Sequence, residues 1–229
     1  MKRIYQFIVI MFTILFSSCS GMMDDIKPYL DEGETIYVGK LDSIRIFSGY
    51  NRIQIEGMMP YGTTQVKCAI SWNNPFGEKG SKEFDVVRGD FNEVYQFMLE
   101  NLVEGQYDFT IVTKDSHNHS SIKVEIGGYS YGDVYQNMLV NRPIDKIESG
   151  MIQWKDMNND EVQGCNLEYE LDNDGGFRQL YVPIKDQSTS IDGYKPNGIL
   201  YWNTVYLPDS TAIDKFYTEK ATLSLPANP

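Results

Sequence analysis

"NLVEGQYDFTIVTKDSHNHSS", residues 101–121, decides the fold. Glu104-Gly105 reads as a turn, and the next residues alternate: Tyr107, Phe109, Ile111 and Thr113 fall on one face, with polar neighbours on the other. Strict alternation over this length is the mark of a half-buried strand, because successive side chains in a strand point to opposite faces. The polar run "DSHNHS" (115–120) then reads as a strand-connecting loop.

The same period of two runs outward from that stretch. "ETIYVGK" (34–40), "DSIRIFSG" (42–49), "NRIQIEG" (51–57) and "QVKCAISW" (65–72) alternate, and in the last Val66, Cys68, Ile70 and Trp72 share a face. Turn clusters such as "MMPYGTT", "NNPFGEKG" and "RGD" separate the runs, which predicts a sandwich or barrel. Short helical patches are expected only at 23–30 and 133–140. Leu102 lies five residues before Tyr107, and this arrangement resembles the approach to the sixth strand of fibronectin type III and immunoglobulin-like domains. There a tyrosine caps the corner through its hydroxyl. The resemblance implies that role for Tyr107, with Leu102 beside it and Trp72 on the third strand; an ordinary strand tyrosine is the competing reading.

Residues 127–146, "GGYSYGDVYQNMLVNRPIDK", interrupt the rhythm with glycines and a proline, which predicts a linker. A second series follows: "SGMIQW" (149–154), "GCNLEYEL" (164–171), "FRQLYVPI" (177–184), "STSID" (188–192), "GILYWNTVYL" (198–207) and "KATLSLP" (220–226). The expected architecture is therefore all-β: two tandem immunoglobulin- or fibronectin type III-like sandwiches, 34–126 and 147–229, joined by the linker.

The chain begins with Lys2-Arg3 and an apolar run from Ile4 to Phe16, too short to span a membrane and matched to the core of a signal peptide. Ser17-Ser18 before Cys19 resembles a lipobox, with Phe16 bulkier than usual there. That resemblance implies a cleaved segment 1–18, a lipid on the Cys19 sulfur and a tether over 19–33; plain secretory cleavage is the alternative. Each buried CH₂ of such a lipid contributes about 0.8 kcal/mol, so two or three chains anchor stably.

Net charge is −12, and loss of residues 1–18 leaves 18 basic against 32 acidic residues, or −14. Such a chain is repelled by nucleic acid, whose binding depends on Lys and Arg neutralising phosphates. Beyond Cys19 the cysteines are Cys68 and Cys165, both in strand-like runs, where a free thiol behaves as a small buried hydrophobe. A bridge between them would have to join the two domains.

Motifs for chemistry are sparse. His117 and His119 form a His-x-His pair in the "DSHNHS" loop, but zinc takes three or four ligands and no cysteine lies near, so solvated loop histidines are expected and no metal. "DMNNDE" (156–161) begins like a calcium loop, yet Glu161 stands where the sharp turn needs glycine. "DNDGG" (172–176) reads as a hairpin turn. The sequence contains no serine in a nucleophile-elbow context, and acids are scattered, so no catalytic residue and no cofactor are expected. Tyr61 and Phe76 fall in loops and are the candidates for stacking on a sugar; pinning of their own loops is the competing reading.

Three separate stretches, "CSGMMDDIKPYLDEGETIYVGKLDSIRIFSGYNRIQI" (19–55), "YGDVYQNMLVNRPI" (131–144) and "YLPDSTAIDKFYT" (206–218), resemble a Bacteroides lipoprotein family of unknown function, domain of unknown function 4998. The resemblance spans nearly all of the chain after Cys19 and implies a cell-envelope lipoprotein with fibronectin-like domains. It brings no catalytic or ligand residues. The expected protein sits on the outer membrane facing the exterior, held by lipid on Cys19. It does no chemistry and binds a glycan or an envelope protein, or alternatively serves as a structural spacer that presents a partner.

Overall fold

The computed structural model describes residues 38–172 and 175–227; Cys19, the segment before it, the tether and the helical patch expected at 23–30 lie outside the described residues. Residues from Val38 onward form one compact unit, built from two β-sandwiches in series.

In the first sandwich, β1 (Asp42–Gly49), β2 (Arg52–Met58) and β5 (Val94–Glu100) form one antiparallel sheet in the order β1-β2-β5. β3 (Gln65–Asn73), β4 (Lys79–Asp85), β6 (Gly105–Asp115) and β7 (Val124–Ser130) form the other, ordered β4-β3-β6-β7. The second repeats the plan. β8 (Ile144–Glu148), β9 (Met151–Trp154) and β12 (Ser188–Ser190) make the smaller sheet, and β10 (Val162–Glu170), β11 (Phe177–Pro183) and β13 (Ile199–Tyr206) the larger. Two short pieces, β14 (Phe216–Tyr217) and β15 (Ala221–Ser224), both pair with β13 and share the place that β7 fills in the first sandwich. Three strands facing four, with the chain crossing between the sheets after β2, β4 and β5, is the fibronectin type III arrangement.

Alternation builds each core. Along β6, Tyr107, Phe109, Ile111, Thr113 and Asp115 are buried in turn. They meet Cys68 and Ile70 from β3, Ile53 and Ile55 from β2, and Phe97 and Leu99 from β5. At the usual ~25 cal/mol per Å² of apolar area, each such side chain contributes roughly 1.5–3 kcal/mol. Val66 departs from the expected face: the register with β6 shifts between Gln65 and Lys67, a bulge that buries Gln65 and turns Val66 outward.

The boundary expected after residue 126 falls inside β7. Its glycines mark close approach rather than a turn: a Cβ at Gly128 would come within 2.9 Å of Ile46 Cγ2 and 3.1 Å of Phe109 Cε2. After β7, Tyr131 bridges to Tyr50 and a single short helix, α1 (Asp133–Met138), leads to Pro143 and β8. A third small core fills this junction, with Val162, Tyr206 and Phe216 packed against Tyr131, Tyr135 and Leu139.

Polar contacts stitch the junction as well. Asp214 accepts from Arg52 Nε at 2.8 Å and Nη2 at 2.5 Å, and from the Tyr50 N–H at 2.8 Å. The Ile213 N–H donates to the Ser48 carbonyl at 2.8 Å. From the first sandwich, Glu104 accepts the free N–H groups of Val134 and Tyr135, at 2.6 and 2.7 Å, at the start of α1.

Candidate ligand-binding surface

The outward face of β10, β11 and β13 carries large aromatic groups beside amides and one ion pair. Alternation puts Leu167, Tyr169, Val182 and Leu200 in the core, so their neighbours Asn166, Glu168, Tyr181 and Tyr201 must point away. Register then sets these side by side: Asn166 faces Tyr181 on one flank and Asn203 on the other, and Glu168 lies between Gln179 and Tyr201. Tyr181 is 50% exposed and Phe177 47%. Phe177 and Tyr201 approach to 6.1 Å between ring centroids.

Polar groups hold this face in place. The Lys220 ammonium donates to Glu168 at 2.8 Å and sits 5.9 Å from the Tyr201 ring centre. Gln179 Nε2 donates to the other Glu168 oxygen at 3.2 Å. These two donors, Lys220 first, hold the Glu168 carboxyl below its usual range. The Tyr181 hydroxyl donates to the Gln163 carbonyl at 3.0 Å, which fixes the ring's tilt. Asn166, Gln179, Asn203 and Lys220 line a shallow depression beside Tyr181. A flat apolar ring next to fixed donors and acceptors suits a ligand with one apolar face and polar edges.

The residues singled out in the sequence are dispersed. Tyr61 is 56% exposed in the β2–β3 loop and Phe76 77% exposed in the β3–β4 loop. These loops leave opposite ends of β3, whose nine residues span roughly 30 Å at ~3.3 Å each, so the two rings form no common platform. Tyr107 is buried and donates its hydroxyl to the Val103 carbonyl at 3.0 Å, four residues upstream. Burial raises its pKa and that bond opposes the rise. Gly105, with φ of +135°, makes the turn between them, and Leu102 is buried beside it. Trp72 is half-buried against Phe109, its ring lying over Gly80, where a Cβ would come within 2.4 Å of it.

Cys68 and Cys165 are buried free thiols, and burial pushes Cys68 up to about 12. In 156–161, Asp156 and Asn159 accept backbone N–H groups of their own turn, and the Glu161 carboxylate accepts the Tyr135 hydroxyl at 2.8 Å. Asn173 and Asp174 of the expected hairpin lie outside the described residues. His117 and His119 are exposed, and the buried Asp115 stands beside them. Two features escaped the sequence reading. Asp115 belongs to the polar run "DSHNHS", yet it continues the buried alternation of β6. Tyr181 and Tyr201 carry no signal in the sequence beyond that of strand residues, since alternation gives two faces without saying which is covered.

A two-domain fibronectin type III segment from chicken tenascin is 13% identical, covering 82% of this chain and 99% of that one, with a TM-score of 0.35. The FN1–FN3 domains of chicken CNTN1 are 15% identical, covering 81% and 64%, with a TM-score of 0.40. No curated protein matches. The DUF4998 family, a domain of unknown function, matches residues 19–216, which takes in both sandwiches up to β14. This chain belongs to that family.

Proposed function

We propose that the protein is a lipid-anchored lipoprotein of the outer membrane, facing the exterior, that captures glycan without acting on it. The observation that carries this reading is the outward face bearing exposed Tyr181 and Phe177 and half-buried Tyr201, with its adjoining amides. Sugar rings offer an apolar C–H face to an aromatic ring and hydroxyl edges to Asn, Gln and Glu. Net charge favours a neutral glycan over an acidic one. The anchor rests on Cys19 after Ser17-Ser18, and it predicts that Cys19→Ala moves the protein out of the salt-washed membrane fraction; a variant that stays there removes the anchor.

Affinity electrophoresis of the full chain through a panel of neutral polysaccharides tests capture. Retardation by at least one polysaccharide is expected, weakened about tenfold or more by Tyr201→Ala or Tyr181→Ala, which corresponds to ~1.4 kcal/mol. Tyr61→Ala should leave it unchanged. Free migration through every gel, or equal retardation of all variants, rejects this surface. A second reading, a spacer that presents a partner, is favoured by the stitched junction: the Asp214 contacts and the Phe216 core fix one sandwich on the other.

A further inference from the structure

We propose that the β6–β7 loop is a transition-metal site in which Asp115, His117 and His119 hold a divalent ion, zinc being the reference case, with one coordination position open. One ligand atom from each residue lies within 4.8 Å of the other two. Zinc bonds of about 2.0–2.2 Å in a tetrahedron set neighbouring ligands roughly 3.3 Å apart, so closure from 4.8 Å needs a movement of up to about 1.5 Å. The two imidazoles are exposed and can make it by side-chain rotation.

Backbone geometry already sets up the carboxylate. Asp115 is the last buried residue of β6, and its Oδ1 accepts the His117 and His119 N–H groups, both at 2.9 Å. That leaves Oδ2, which lies 2.8 Å from His119 Nδ1. Burial pushes this carboxyl up, but the His119 ring and the two N–H donors outweigh burial and hold it below the usual aspartate value. Asn118, at φ of +69°, turns the chain so that the two imidazoles stack at 5.9 Å between centres. An anchored carboxylate beside two adjustable imidazoles is a borderline N/O donor set suited to zinc, copper or nickel rather than calcium. Three protein ligands leave the fourth position for water or for a donor from a bound partner. The site lies at the end of β6 away from the junction, on the other sandwich from the proposed sugar face, so either reading can fail alone.

Zinc titration calorimetry on the full chain tests it, with Cys19→Ser throughout to remove a competing thiol. Binding of a single equivalent is expected, with affinity about tenfold or more lower in His117→Ala, in His119→Ala and in Asp115→Asn. Asparagine keeps an acceptor for the two N–H groups, and a melting curve matching the parent's shows that the turn is intact. His117 is exposed, so its variant probes the metal without touching the core. Absence of binding heat, or equal affinity in all variants, overturns the proposal. Loss in the histidine variants with none in Asp115→Asn also overturns it, leaving only a surface histidine pair.

Discussion

The two sandwiches share one strand order but close their cores differently. In the first, an apolar cluster fills the centre, the buried polar residues Thr113 and Asp115 lie towards the end of β6, and the polar end of Tyr107 is satisfied by a carbonyl on the same turn. In the second, a whole guanidinium is buried. Arg142 is 0% exposed; its Nε and Nη1 each donate, at 3.1 Å, to the Lys155 and Asp186 carbonyls, and it stacks 5.3 Å from the Trp154 ring centre. Its own N–H donates to Thr204 Oγ1 and its carbonyl accepts the Trp202 indole N–H. The last strand splits alongside: Thr218, between β14 and β15, donates its N–H to the Thr204 carbonyl at 3.1 Å, but the Thr204 N–H returns to the Thr218 hydroxyl, which donates to Asn141, instead of to the Thr218 carbonyl. One topology can thus be closed by apolar alternation or by a buried cation that serves carbonyls at the strand ends.

The sharpest way to break this contrast is Arg142→Ala. Truncating a large buried side chain costs about 3–5 kcal/mol, and each orphaned carbonyl adds roughly 1–3 kcal/mol, so the second sandwich should lose most of its stability. Arg142→Met, which keeps the bulk and removes the charge, should cost clearly less. Trp154 and Trp202 report on the second sandwich and Trp72 on the first; denaturant melts by fluorescence of single-tryptophan chains separate them. If Arg142→Ala melts like the parent, the guanidinium holds nothing together.

Tyr107 is the corresponding test in the first sandwich. Tyr107→Ala should cost about 3–5 kcal/mol, and Tyr107→Phe, which removes only the bond to Val103, about 0.5–1.5 kcal/mol. The loss should show at Trp72 before the other tryptophans. A Phe variant as stable as the parent would show that the ring's packing, and not its hydroxyl, makes the corner.

The smallest effect belongs to the junction. Arg52 and Asp214 are partly exposed, 38% and 22% at the side chain, and pairs of this kind contribute up to about 1 kcal/mol. The Arg52 bond, ahead of the opposing effect of burial, holds Asp214 below its ordinary 3.8. A depressed carboxyl contributes stability that is complete above the unfolded value and is lost as pH falls through the folded one. A double-mutant cycle of Arg52→Ala with Asp214→Asn should therefore give constant coupling from pH 7 to about 5, vanishing only below 3.8. Absence of coupling at pH 7 would assign the stitching to the Phe216 core instead.

The first sandwich was legible because β6 and β2 alternate cleanly and one face of each is covered. Its β4 and β5 stayed hidden, and the second sandwich hid two strands more. "IDKIE" of β8 is short and half charged, and β14 is two residues long, so neither carries a period. The order of 127–130 was concealed because glycine marks a turn and a close approach alike, and only the neighbours Ile46 and Phe109 distinguish them. The candidate sites were harder still. Asp115 meets His119 through a turn set by Asn118, and Phe177 meets Tyr201 only across β10, relations that depend on register rather than on spacing in the chain.

Arg52 and Asp214 are 162 residues apart in the chain, and that distance gives their contact a place in time. Strand pairs such as β6–β7 join neighbours in sequence and can form while later segments are still being made. Closing so long a loop adds only about 0.6 kcal/mol per doubling of its length, so distance hardly weakens the finished bond. It postpones it: contacts of high sequence separation form late, after Asp214 itself has emerged. The same bond, partly exposed and formed last, should be among the first to open. The junction therefore signals completion, since a chain truncated before Asp214 keeps the first sandwich's strands while lacking the residue that docks the second onto it.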